Sequence, residues 1–398
     1  MIPTTFNYRA QIAHWLLLLI VVTQLAGCGT TTVKSTTYTP LTQETQIVPE
    51  RELLDVGVIP FDPGLDNAKD DDTLRPEVRT AESRYLATQL VNTLQNSGAW
   101  GPVRVLPSDT SVVDLYIRGT ILHSDGERLE LAITATDSSG RQWLDKTYQE
   151  VASVYAYDRQ RSKTRDPFQG LYNRIANDLM EIRSGLPDGR AETLRTLSEL
   201  RFAREFAPDA YDGYTRESRN GELEIIRLPA ENDPILERIR RIRERDYLFV
   251  DTLQEHYDAF YRRMDNPYQS WRAESYQEVI TTRQLKRQST ARMVGGIVAV
   301  AGGILAAGSS DGSAQVGGIM AAGAGGMLIK SSLEKRQEAQ LHIEALAELG
   351  DSLEEAIEPH VIDLEDRTIT LTGNAEAQYS QWKALLRDIY EADRGLSP

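Results

Sequence analysis

Residues able to do chemistry are few and far apart in this 398-residue sequence. Of its five histidines, His14 lies in an amino-terminal apolar segment, and His123, His256, His342 and His360 are isolated from one another. None falls in a metal-ligand spacing such as HExxH, so no metal site is expected. The one GxSxG match, Gly308-Ser309-Ser310-Asp311-Gly312, lies in the turn between the two glycine-rich arms and follows no strand, so it gives no nucleophile elbow. There is also no Gly-Lys-Ser/Thr loop or strand-plus-GxGxxG context to hold a nucleotide, and no cofactor is expected. Among 59 Asp and Glu residues nothing selects a pair as acid and base for glycosidic cleavage. The run Asp70-Asp71-Asp72 lacks a twelve-residue calcium loop and reads as a solvated acidic loop. Two features stand apart. One is the single cysteine, Cys28, a thiol open to covalent modification. The other is the set of 11 glycines, out of 28, that fall between Gly295 and Gly326. Small residues at that density let helices approach closely, which is packing chemistry rather than catalysis.

Composition narrows the setting. The 44 Lys and Arg against 59 Asp and Glu leave a net charge of −15, which argues against nucleic acid as a partner. One cysteine excludes a disulfide scaffold. With 40% hydrophobic and 26% charged residues, the chain is neither disordered nor a many-span membrane protein, and its length suits two or three domains.

The amino end reads as a targeting segment. Arg9 precedes the apolar run Trp15 to Val22, which is far short of the ~20 residues of a spanning helix and suits a signal-peptide core. Leu25-Ala26-Gly27-Cys28 follows directly and resembles the lipobox of bacterial lipoproteins. The resemblance implies cleavage between Gly27 and Cys28, removal of residues 1–27, and acylation of Cys28. Gly29, standing where an aspartate would retain a lipoprotein at the inner membrane, implies the outer membrane, facing the periplasm. The competing reading is a weak membrane anchor with a buried cysteine. Residues 28–50, rich in Thr, read as a flexible tether.

The fold class expected is α+β, beginning with a small α/β domain over residues 51–183. Val56 to Phe61 is a buried-strand pattern. A helix runs from about Thr80 to Asn96, with Leu86, Leu90 and Leu94 on one face and Gly98 as its stop. Strands follow at 103–106, 113–121, 129–136 and 142–148, with turns at Gly126 and Gly140, and a second helix carries Phe168, Leu171, Ile175, Leu179 and Ile182. The opening VGVIPF, the helix LATQLVNTLQNSGAW and the strand DLYIRGTI resemble periplasmic domains of the TolB amino-terminal, curli-channel lipoprotein and LpoB type. That resemblance implies binding to other envelope proteins, activation of a peptidoglycan synthase, or a part in an export pore. A pore needs pairs of ~10-residue alternating strands, and no clear pair is legible here.

Residues 184–292 read as a charged helical connector. Its arginines, Arg238, Arg240, Arg241, Arg243 and Arg245, alternate with acids as on a salt-bridged surface, and its apolar stripe ends near Arg263. Tyr257, Tyr261, Tyr268, Trp271 and Tyr276 flank Asn266-Pro267 and suit core or helix contacts better than sugar stacking. Residues 293–330 resemble a glycine-zipper hairpin, with Gly295, Gly296, Gly302 and Gly303 in one arm and Gly317, Gly318, Gly325 and Gly326 in the other. Basic residues flank both ends, placing both on the same side of a membrane. The hairpin either contacts the membrane or packs as a soluble element of self-association. Residues 331–398 read as a helix to about Ile357, a strand pair and a final helix, forming a small α+β tail that docks onto another module.

Together these features predict a lipid-anchored, non-catalytic binding or assembly factor of the envelope. It would hold membrane lipid through acylated Cys28 and residues 293–329, with other envelope proteins as partners and a homo-oligomer as one form. The alternatives are a component of an oligomeric export channel, and a cell-wall enzyme or peptidoglycan-synthase regulator; an enzyme would require a concave pocket with convergent acids.

Overall fold

The computed structural model describes residues 31–35, 38–67, 74–153, 155–157, 165–303, 340–351, 357–364 and 368–394. Its class is α+β, as expected. The central sheet has six strands in the order β1-β6-β5-β4-β2-β3. They are β1 (Thr31–Ser35), β2 (Val56–Val58), β3 (Val103–Val105), β4 (Leu115–Ser124), β5 (Arg128–Asp137) and β6 (Gln142–Val151). β2 is parallel to both β3 and β4, β4 to β6 form an antiparallel meander, and β1 lies parallel to β6. Helix α1 (Pro76–Ser97) makes the crossover from β2 to β3 and ends at Gly98, whose φ of 69° is the left-handed stop that glycine adopts without strain. Helix α2 (Gln169–Ser184) packs with α1 on the face of the sheet that carries Leu129, Leu131 and Ile133 of β5.

The meander has the strand length of a pore segment but strict alternation in one strand only, so it supplies no clear alternating pair. β4, β5 and β6 are each ten residues long, and β5 alternates strictly between buried and half-buried positions. Its outward positions are Arg128, Glu130, Ala132, Thr134 and Thr136, so the period of two is carried by small and polar residues rather than by strong contrast.

Helix α3 (Arg190–Phe206) leads through a short turn and the hairpin β7 (Thr215–Glu217) and β8 (Leu223–Ile225) to α4 (Pro234–Gly303). α4 is a single helix of 70 residues. It does not end near Arg263, and Pro267 lies inside it. A proline there removes one backbone bond and costs about 3 kcal/mol. Burial of Phe260, Met264, Tyr268 and Trp271 on either side holds the helix together across it. The expected aromatic cluster is therefore core: Tyr257, Tyr268, Trp271 and Tyr276 are buried and Tyr261 stacks on Tyr85 with centroids 4.6 Å apart. The expected boundary between connector and hairpin at 292/293 also falls inside α4 and marks no break. Of the arginines, Arg240 pairs with Glu199 and Glu237 at the surface, but Arg243 is turned inward to donate to Ser198 Oγ at 2.9 Å.

One further expectation changes. Residues 38–50 do not form a loose tether. Thr42 N–H donates to Asn177 at 2.8 Å, Glu44 N–H donates to the Ser97 carbonyl, and Asn173 donates to the Thr39 carbonyl, tying the segment across α1 and α2. The carboxy-terminal elements are α5 (340–351), the antiparallel pair β9 (His360–Asp363) and β10 (Thr368–Leu371), and α6 (Ala375–Asp393). They dock on the helical region 184–292: Trp382 stacks on Phe249 at 5.0 Å, and Lys383 bonds Glu205 at 3.0 Å. One contiguous apolar core runs from Leu54 to Tyr390.

α4 also closes one edge of the sheet. The side-chain amide of Gln254 accepts from Val105 N–H and donates to the Val105 carbonyl, both at 2.8 Å, and Arg104 is bidentate to Asp251. An amide carries the same donor and acceptor as a peptide unit, so Gln254 takes the place that a further strand would occupy beside β3.

Candidate functional site

The sequence-predicted site residues divide by position. Gly27, Cys28, Gly317, Gly318, Gly325 and Gly326 lie outside the described residues, as does Asp70-Asp71-Asp72. Gly295, Gly296, Gly302 and Gly303 lie in the last turns of α4. The last described side-chain contact of α4 with the sheet is Arg283, bonded through both terminal nitrogens to Glu127 in the β4–β5 turn. The helix continues for 20 residues beyond it, or about 30 Å at 1.5 Å per residue. That stretch carries Lys286, Arg287 and Arg292, then an uncharged run from Met293 to Gly303. Among the described residues no helix is long and apolar enough to cross a membrane.

α4 is seated by close contacts. In the β4–β5 turn, Gly126 N–H donates to Ser275 Oγ and Gly126 carbonyl accepts from Tyr157. Arg272, fully buried, donates to Asp166 at 2.7 Å and lies over the rings of Tyr268 and Phe168, 4.0 and 5.0 Å from their centroids. Glu82 of α1, also fully buried, accepts from Ser124 and Tyr268 and faces Arg79 at 3.6 Å. These polar groups tie α1, α4 and the segment before α2 together, so they serve docking rather than chemistry.

Antiparallel pairing of α1 and α4 builds a polar cavity of about 480 Å³. From α1 come Gln89, Asn92, Thr93 and Asn96, spaced i, i+3, i+4 and i+7 on one face. Opposite, α4 contributes Tyr261, Asp265 and Gln269, four residues apart. Gln169 closes one end and bonds Gln89 at 2.6 Å, while Arg165 lies 3.8 Å over the Tyr38 ring at the opening. Both carboxylates already accept from protein donors: Asp166 from Arg272, Gln269 and Phe168 N–H, and Asp265 from Tyr85 at 2.8 Å. The sequence signal for this cavity is the polar i, i+3, i+4, i+7 row on an otherwise buried helix; the leucine spacing that marks the helix does not show it.

A smaller cavity of about 190 Å³ lies between α3, α4 and the start of β4, with Asp55, Asp114, Ser198, Arg243 and Tyr247 in its wall. Burial and the neighbouring Asp55 raise the Asp114 carboxyl, against the pull of Ser198 and Arg243. Its charges are matched internally, and no group of three or more potential metal ligands occurs among the described residues.

One buried carboxylate gives a pH test of the packing. Glu150, at the end of β6, is pushed up to about 7 by burial, although Arg174 at 3.3 Å pulls the other way. Its contribution to folding is fully present below the ordinary value of 4.5 and is lost as the pH rises through about 7. Going from about pH 7.5 to about pH 5, wild type is expected to gain about 2 kcal/mol relative to Glu150→Gln. Urea unfolding of both proteins at each pH measures this, and a difference independent of pH would remove Glu150 burial as its source.

No family model matches the chain, and neither a curated protein nor a solved structure does.

Proposed function

We propose that the protein is a lipid-anchored, non-catalytic binding or assembly factor of the bacterial envelope, held at the periplasmic face of the outer membrane. The observation that carries this reading is the course of α4. It is docked on the sheet as far as Arg283 and then continues unbroken, bearing three basic residues followed by an uncharged glycine-rich run. That order, basic then apolar, suits a helix approaching anionic headgroups. The lipobox-like sequence ending at Cys28 supplies a second attachment at the other end of the same domain, three residues before β1. Two weak attachments to one surface reinforce each other through effective concentration.

Fractionation of cells after a high-salt wash tests this. Wild type is expected in the membrane fraction, Cys28→Ala and a deletion of residues 293–329 are each expected to be partly released, and the combined variant is expected to be soluble. Retention of the combined variant in the membrane would overturn the two-point attachment.

The ten-residue strands β4 to β6 favour a second reading, a subunit of an export channel. In this fold their apolar face, with Leu129, Leu131 and Ile133, is covered by α1 and α2, so insertion would require those helices to leave the sheet. A large homo-oligomer in detergent would support the channel; a monomer or small oligomer supports the assembly factor.

A further inference from the structure

The geometry points to the cavity between α1 and α4 as a carbohydrate-binding site for one or two sugar rings. Its volume, about 480 Å³, lies within the roughly 300–1,000 Å³ range of small-molecule sites. Its walls differ from the usual apolar lining, because five of its eleven lining residues are amides. Each amide offers both a donor and an acceptor, so a fitting ligand must donate and accept at closely spaced points, as vicinal hydroxyls do.

Part of this hydrogen-bonding capacity has no use inside the protein. Gln269 Nε2 is bonded to Asp166, while Gln269 Oε1 is buried with no partner among the described residues. This acceptor is unsatisfied, and a ligand hydroxyl would satisfy it once the amide turns toward the cavity. Asn92 and Asn96, one turn apart on α1, face the same space, and no side-chain bond ties either to another described residue. By contrast Gln89 is held by Gln169 and Tyr261, so the free groups are grouped toward the open side.

Charge and shape exclude the main alternatives. A phosphate would lie beside Asp166 and Asp265, and with Arg272 already paired to Asp166 only Arg165 in the lining would be left to hold it. An apolar ligand would strand the amides. A sugar ring meets neither objection, and the flat pair of Tyr38 and Arg165 at the opening suits the C–H face of a second ring.

Isothermal titration calorimetry on the full chain in detergent tests the assignment, using glucose, N-acetylglucosamine and the β-1,4-linked N-acetylglucosamine tetramer as probes. Saturable binding of at least one sugar is expected, weakened about tenfold by Asn92→Leu, the loss of roughly one hydrogen bond. Asn92 is half-buried and bonds no described residue, so the variant should keep the wild-type circular dichroism and melting temperature. Gln269→Leu is a second variant expected to weaken binding. Binding of the tetramer alone would indicate a glycan strand, and binding of a monosaccharide a free sugar; both support the site. Absence of binding by folded protein up to the solubility of each sugar overturns it, as does binding that both variants leave unchanged, or binding of inorganic phosphate in place of sugar. The site does not depend on lipid attachment, so failure here leaves the fractionation result untouched.

Discussion

Gly126→Ala is expected to destabilise the protein by about 3 kcal/mol or more and to lift the β4–β5 turn off α4. A Cβ at this position would stand 1.9 Å from the Arg272 carbonyl oxygen and 2.3 Å from the Tyr276 nitrogen. Both atoms belong to helix backbone, so no rotamer change relieves the overlap. Either the turn or the helix must move, and with it go the bonds from Gly126 to Ser275 and from Glu127 to Arg283. Gly185→Ala is the matched control, because a Cβ there would meet nothing closer than 3.5 Å and its φ of −87° suits any residue. Urea unfolding followed by tryptophan fluorescence compares the two. Equal stabilities would show that the turn is not seated against α4 as described.

The second large effect is expected at Arg272. Arg272→Met removes the cation that faces Asp166 in a fully enclosed position and is expected to cost about 3–5 kcal/mol, because the carboxylate is left buried with only neutral donors. Asp166→Asn on that background should recover part of the loss: an asparagine still accepts from Phe168 N–H, which Asp166 does at 2.8 Å, and it carries no charge to strand. A double-mutant cycle between the two positions should therefore give a coupling of about 1–3 kcal/mol. Strictly additive losses would mean that Arg272 acts through its stacking on Tyr268 and Phe168 and not through Asp166.

Local signals in the sequence account for much of the sheet domain. Gly98 marks the end of α1, the Gly126 and Gly140 turns delimit the meander, and the apolar spacing from Phe168 to Ile182 defines α2, because each depends on residues close in the chain. Contacts between distant segments were not legible. Pro267 reads as a break by its own chemistry, and only the burial of Met264 and Tyr268 against α1 shows why the helix passes through it. The same holds for the cavity. The row Gln89, Asn92, Thr93, Asn96 is visible in the sequence once polar spacing is sought, but its partners Tyr261, Asp265 and Gln269 come from about 170 residues away. Threonine-rich composition suggested a tether at residues 28–50, whereas the bonds to Asn173 and Asn177 that hold residues 39–42 depend on α2 and cannot be seen locally.

The amide of Gln254 beside Val105 makes the sheet one-ended. With β3 terminated by a side chain, hydrogen bonding to a further strand is left to the β1 side, where the sheet order stops among the described residues. A sheet with one blocked end cannot propagate: two copies joined through their β1 edges would have no edge of the central sheet left to offer. Edge-to-edge growth of this sheet therefore stops at a pair, and a larger assembly has to use the helices or the small hairpins β7–β8 and β9–β10.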